Sequence, residues 1–200
     1  MGIMKASRIY ILTGLEKMSD PAFQHIHIFG APGAGVTTLG KTLAAHLGYA
    51  HFDTDDYHWF TEDALPYKRR RNPDHRRQLL TRDLDASDRW VLSGSLCGWG
   101  DVFIPRFDKV VYLWLPAELR TKRIAARETL RYGTARITDG GDLHAIFEKF
   151  QTWAAAYDET SDNIRSRSKE LEWLSALRCH TQRIEADYTV ERLVEMVTGL

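Results

Sequence analysis

The run His25-Ile26-His27-Ile28-Phe29 passes directly into Gly30-Ala31-Pro32-Gly33-Ala34-Gly35-Val36-Thr37-Thr38, after which Leu39, Leu43 and Leu47 recur at i, i+4 and i+8. A β-rich strand, a glycine loop and an amphipathic helix in that order form the setting in which the pattern GxxxxGK[ST] cradles phosphate. Glycines at 30, 33 and 35 let the backbone turn its N–H groups inward around phosphate oxygens, and the helix N-terminus adds the positive end of its dipole. A turn that merely links a strand to a helix rarely needs three glycines at this spacing. The loop from Gly30 to Thr38, with Ala31, Ala34 and Val36 between and beside its glycines, is therefore the expected phosphate cradle, and the Thr37 hydroxyl is offered to a magnesium ion. The pattern departs at Val36, where it calls for a lysine that acts as a point charge on the β and γ phosphates. Lys41 does not replace it on helical geometry, being about 140° around the helix and about 7.5 Å further along.

Outward from this loop, short β-rich runs alternate with longer helical patterns, the signature of a parallel sheet with helices on both faces. Strands are expected at 25–29, 50–52, 90–92, 110–115 and 181–184. The fourth is apolar throughout, as a strand buried on both faces must be. Gly48 stands where a left-handed cap ends the first helix. Asn72 and Pro73 supply an N-cap and a first helical position for a helix reaching to about residue 86. Pro116 opens another helix, in which Arg120, Arg123, Arg127 and Arg131 line one face with guanidinium groups. Residues 132–142 (YGTARITDGGD) read as a mobile loop, and helices are expected at 143–157, 163–177 and 190–197.

The second strand ends in His51-Phe52-Asp53-Thr54-Asp55-Asp56-Tyr57-His58-Trp59. Ligands of an open parallel sheet bind at the carboxyl ends of its strands, so these carboxylates face the same crevice as the glycine loop. Asp53 can hold magnesium through water, and Asp55 can take a proton from an acceptor hydroxyl. One or more of the three can instead simply cap the helix that follows, Asp56 before the other two. A transition-metal site built from His51, Asp53, Asp55 and His58 fits no familiar ligand spacing.

A length of 200 residues fits one domain with room for an inserted lid. The 44% hydrophobic and 27% charged residues exclude disorder, collagen and coiled coil. The 27 basic and 27 acidic residues cancel, which argues against nucleic acid as a partner and leaves a local basic site open. Cys97 and Cys179 have no CxxC spacing, so neither a disulfide framework nor a zinc site is expected, and a cytoplasmic setting is. No run approaches the roughly 20 apolar residues that would span a membrane. Residues 5–15 imitate a signal peptide only faintly, with no small-residue cleavage site after them. Residues 1–23 are expected to form an N-terminal extension, and 24–200 one domain.

GAPGAGVTT, FDTDD, the turn Ser93-Gly94-Ser95 and RIAARETLRYG together resemble the P-loop class of small-metabolite and nucleoside monophosphate kinases, such as shikimate kinase and adenylate kinase. The resemblance covers nearly all of residues 24–200. It implies a three-layer α/β P-loop NTPase fold with strand order 2-3-1-4-5, an acceptor-binding arm over 57–88 and a lid over 120–145. It also implies ATP and Mg2+ as cofactors, a small-molecule acceptor, and a monomer or homodimer. By the same resemblance Asp53 lies near magnesium, Asp55 near the acceptor hydroxyl, and Arg123 and Arg127 on the transferring phosphates. Val36 in place of lysine and Ser93-Gly94-Ser95 in place of the shikimate kinase glycines depart from the pattern, so the acceptor is inherited from neither relative.

Lys68, Arg69, Arg70 and Arg71, with Arg76 and Arg77, form the dense basic run, placed either to grip an acidic acceptor or to lie as a solvated surface. Arg165 and Arg167 either close over substrate or stay on the surface. Trp90 and Trp114 are expected in the core, whereas Trp59 and Trp99 follow strand ends and either wall an acceptor pocket or pack. His25 and His27 share a strand face and are expected to be structural. The leading expectation is an ATP-dependent kinase that moves the γ-phosphoryl group to a small metabolite or nucleoside monophosphate by positioning and charge neutralisation. Its rival is a nucleotide-binding sensor or partner module that kept the loop and lost the lysine. The rival predicts binding without turnover, and a Val36→Lys change that tightens ATP binding without creating turnover; calorimetric titration of both proteins beside an ADP-release assay measures this.

Overall fold

Period-two alternation sorts the first strand onto two faces. β1 (His25–Gly30) sends Ile26 and Ile28 to one apolar cluster and Phe29 to another, with His27 stacked on the Phe29 and Phe107 rings on that second face. The structure, a computed structural model, describes residues 23–60, 69–159 and 165–199. Within these, β2 (Ala50–Asp53), β3 (Trp90–Ser93), β4 (Lys109–Leu113) and β5 (His180–Ile184) join β1 in one parallel sheet of order β2-β3-β1-β4-β5. The register aligns Asp53 with Ser93, Ile28 with Ser93, and Gly30 with Leu113, so the carboxyl ends of β2, β3, β1 and β4 finish side by side.

Helices cover both faces. On the Ile28 side α1 (Val36–Leu47) and α8 (Val190–Thr198) bury Leu39, Leu43, Val194 and Val197 against Val91, Val111 and Leu113. On the Phe29 side α3 (Pro73–Asp85) and α7 (Arg167–Ala176) bury Leu80, Leu84 and Leu174 against Leu92, Val110 and Tyr112. The local signals act as their chemistry dictates. Gly48 caps α1 at φ +69°, and the Asn72 side chain accepts from the Asp74 amide while Pro73 begins α3. A short α2 (Thr54–His58) follows β2 directly. α4 (Ala117–Tyr132) begins after Pro116, and α5 (Thr134–Ile137) and α6 (His144–Ala155) complete the excursion between β4 and α7. Among the described residues no helix is long and apolar enough to cross a membrane.

Several expectations are corrected. The fourth strand stops at Leu113 rather than 115, because Pro116 lacks an amide and restricts Leu115 before it. Trp114 is accordingly only half-buried, its Nε1 donating to Asp158 at 2.6 Å. The loop expected over 132–142 contains α5: Ile137 is buried, and the Arg136 guanidinium grips Asp142 at 2.6 and 2.9 Å. α7 starts at Arg167 with Ser166 as its N-cap, and residues 163 and 164 lie outside the described residues, as do 1–22 of the expected extension and 61–68 of the arm. Phe23 packs, its ring 5.2 Å from that of His180.

The arginine row of α4 does not present four cations to one face. Arg120 is wholly buried, donating to the carbonyls of Leu115 (2.8 Å), Ala154 (2.7 Å) and Pro32 (3.4 Å) and pairing with Asp158. It fastens the glycine loop, α4 and α6 together. Removing one partner of a buried charge pair strands the other, so Arg120→Ala is expected to lower stability by about 3 kcal/mol in urea unfolding. Arg123→Ala, which breaks a half-exposed pair, is expected to change it by about 1 kcal/mol or less.

Candidate active site

The loop leaves the sheet at its centre. Gly30 (φ +148°) and Gly33 (φ +83°) carry backbone that other residues rarely adopt, and a Cβ would stand 2.0 Å from the Leu113 oxygen at position 30 and 2.7 Å from the Arg120 oxygen at position 33. Residues Ala31 to Thr38 line an open cleft of about 1420 Å³. The Thr37 hydroxyl donates to Asp53 Oδ2 at 2.8 Å, and the Ser93 hydroxyl stands 3.3 Å from the same oxygen. Asp53 Oδ1 accepts the Asp55 amide at 3.0 Å and so caps α2. Asp53 thus caps the helix and also faces the loop. Gly94 completes this corner, since a Cβ there would meet Thr54 Oγ1 at 2.0 Å.

Thr37 and Asp53 offer adjacent oxygens, the donor chemistry that suits a Mg2+ ion retaining water and phosphate oxygens. Among the described residues no group of three or more His, Cys, Asp or Glu side chains is placed to hold a metal by itself. Asp55 and Asp56 line the same cleft. Asp55 is open to it by surface area, yet desolvation by the surrounding wall and the charge of Asp53 push its carboxyl up to about 6, with Arg165 acting in the opposite sense. Asp56 is raised for the same first two reasons. Lys41 also lines the cleft, on the side of His51 and Asp56, where its charge is felt by both.

Arginines line the same cleft. Arg123 lies over the loop, its Nη1 3.9 Å from where a Cβ would sit on Gly35, and it pairs with Asp187. Arg127 pairs with Glu128 at 2.8 Å and sits 5.9 Å over the Phe150 ring. Both line the cleft, as do Arg70 and Trp59, whose ring and guanidinium are 5.3 Å apart. The rest of the basic run divides: Arg71 and Arg76 are buried and hydrogen-bonded to backbone, Arg71 Nη1 to Asp56 O at 2.6 Å and Arg76 Nε to Arg71 O at 2.7 Å. Lys68 lies outside the described residues.

Trp99 does not wall the cleft; it is buried edge-on to Phe103. Arg167 also turns away, its guanidinium 4.0 Å over the Trp114 ring and paired with Glu185. Arg165 instead lines the cleft. The residues missed by sequence reading are Phe147, Phe150 and Trp153, which α6 directs into the cleft at i, i+3 and i+6, and Tyr188, which follows β5. Their signals were the aromatic spacing and the strand-end position.

No family profile matches the chain. A Bacillus subtilis (strain 168) protein described as uncharacterized protein YqaC is 38% identical over 174 residues, covering 87% of this chain and 95% of that protein. Shikimate kinase 2 of Sodalis glossinidius (strain morsitans) is 56% identical over 36 residues, 18% of this chain and 21% of that protein. Among solved structures, a shikimate kinase from Bacteroides thetaiotaomicron superposes with a TM-score of 0.52 at 18% identity, over 89% of this chain and 98% of that one. The fold is the shikimate kinase-like P-loop fold.

The raised Asp55 carboxyl has a consequence for stability. Its folded value lies above the ordinary 3.8, so the ionised form is disfavoured by the fold, and stability is lost as pH rises through about 6. Asp55→Asn is expected to raise the melting temperature at about pH 8 by a few degrees and to match the wild type below about pH 4. Calorimetry across that range measures the gap and its closure.

Proposed function

The chain belongs to the family of the uncharacterized Bacillus subtilis protein YqaC, and from that premise we propose that it is an ATP-dependent phosphotransferase acting on a small metabolite or nucleoside monophosphate. The observation that carries this reading is the 2.8 Å contact between Thr37 and Asp53, which joins the phosphate loop to the carboxylate pair at one point of one cleft. At about 1420 Å³ the cleft exceeds the roughly 300–1,000 Å³ of a single-ligand site. Two ligands side by side is what a transfer between them requires.

In this reading the backbone of Gly30, Ala31, Gly33, Ala34, Gly35, Val36, Thr37 and Thr38 holds the phosphates. Thr37 and Asp53 hold Mg2+, which when bound neutralises phosphate charge. Asp55 receives the acceptor proton, and Arg123 and Arg127 balance charge developing on the transferred group. Residues 57–88 form the acceptor arm and 120–145 the lid, whose closure excludes water from the transfer. The two free thiols, Cys97 and Cys179, suit work in the cytoplasm.

Phosphorus NMR of the protein with Mg·ATP and a pooled panel of nucleoside monophosphates, shikimate, gluconate and related hydroxy acids tests the reading. A new phosphoester or diphosphate signal beside ADP is expected. ATP signals that shift without product support the sensor reading, which Val36 favours. With an acceptor in hand, turnover is expected to fall about tenfold per pH unit below about 6 as Asp55 takes up its proton. Asp55→Asn is expected to lose turnover and keep its ATP affinity.

A further inference from the structure

The glycine loop lacks its own cation. Val36 stands in the lysine position, half-buried against the apolar cluster that includes Leu39 and Leu193. Of the α4 arginines, Arg120 is buried against Asp158, and Arg123 and Arg127, which the proposed function gives to the transferred group, pair with Asp187 and Glu128; among the described residues no hydrogen bond ties either of these two to the loop. Lys41 stands with His51 and Asp56.

Arg165 is placed differently. Its Nη2 donates to the carbonyl of Gly30, the first residue of the loop, and its Nε donates to Glu170 Oε1 at 3.0 Å. It lines the same cleft as the loop, and its charge is felt at Asp55. A guanidinium has five N–H donors, of which these two bonds use two. Glu170 is wholly buried and itself gripped: Tyr157 donates to its other oxygen, the Tyr112 hydroxyl lies 3.0 Å from that of Tyr157, and the Ser95 hydroxyl lies 3.5 Å from Oε1. A carboxylate so enclosed cannot follow a moving partner, so it fixes the guanidinium against the loop.

We infer that Arg165 supplies the cation that Val36 leaves out of the glycine loop, meeting the β and γ phosphates of a bound nucleoside triphosphate, and that Glu170 is the positioning residue that holds it against Gly30. The inference rests on the nucleotide-binding part of the function proposed above. It puts the cation on the chain beyond the lid region, so the phosphate site is complete only when α7 is docked on the carboxyl end of β1.

The test is calorimetric titration with Mg·AMP-PNP, which needs no acceptor and no turnover. Arg165→Met combined with Glu170→Gln removes both charges together, so no buried carboxylate is stranded. This variant is expected to bind roughly 10- to 100-fold more weakly at an unchanged melting temperature. Adding Val36→Lys to it is expected to return the affinity to within about threefold of the wild type, a recovery that a purely structural role for Arg165 would not allow. Unchanged affinity in the double variant overturns the inference, and so does a loss that Val36→Lys does not recover. Should the double variant fold poorly, Arg165→Lys and Arg165→Gln decide between them, since both keep a donor for Gly30. Lysine is expected to stay within about threefold and glutamine to lose the affinity, and equal binding by the two overturns the inference. Wild-type protein that fails to bind Mg·AMP-PNP overturns the nucleotide reading itself, an outcome distinct from wild-type binding that the variants leave untouched.

Discussion

β1 is hydrogen-bonded on both sides, to β3 and to β4, and its last residue is pressed so closely on β4 that a Cβ at Gly30 would lie 2.0 Å from the Leu113 oxygen. With neighbours on both edges the chain can leave only forward, past the carboxyl end of the sheet. Strand order reverses at this point, β3 and β2 lying to one side and β4 and β5 to the other, which opens a crevice between the loops that follow them. The site inherits its parts from that crowding. The register brings Asp53 level with Ser93, the Ser93-Gly94 turn against Thr54, and the first turns of α4 beneath Gly33. A one-residue shift of β1 would reverse its faces and separate the glycine loop from the carboxylates together.

The chain is neutral, but it gathers charge of both signs in the cleft. Asp53, Asp55 and Asp56 follow β2, and arginines of α4 together with Arg165, just before α7, line the same cleft. These arginines have carboxylate partners, and the pairs are not alike. Arg123 and Asp187 are 43% and 47% exposed, a pairing worth little in water. Glu170 is 0% exposed, and removing its partner would leave a buried charge. The cleft therefore combines a guanidinium in an exposed pair, Arg123, with one held by a buried carboxylate, Arg165; in the proposed reading the first follows a ligand and the second waits for it.

Much of this was legible in the sequence where local chemistry decides the outcome. The strand, loop and helix around residues 25–47, the Asn72-Pro73 helix start, the Gly48 cap and the carboxylates after the second strand depend on neighbours within a few residues. What was not legible depends on partners far along the chain. Periodicity placed Arg120 on a face with Arg123 and Arg127, but a helical wheel does not say that this part of the face lies under Pro32 and beside Asp158. Trp99 and Trp59 both follow strand ends, yet one is buried beside Phe103 and the other borders the cleft. Arg165 and Arg167 sit two residues apart, and their opposite fates follow from Ser166, whose capping of α7 turns the chain between them. Glu170 carried no signal at all, being an ordinary helical glutamate until the fold encloses it.

Asp53 shows how one residue reconciles the structural and the chemical demand on this corner. Its Oδ1 takes the Asp55 amide and fixes the start of α2, while its Oδ2 meets Thr37. The two duties use different oxygens, so they do not compete. In the proposed reading the Oδ2 contact is the one that yields to a cation, and the Oδ1 cap remains to hold Asp55 in place while it does. The cost of that arrangement falls on Asp55, whose carboxyl is pushed up to about 6 first by desolvation and then by the charge of the Asp53 that positions it. Placing two carboxylates this close weakens the fold slightly and raises the affinity of the second for a proton, which is the property an acceptor hydroxyl requires of its base.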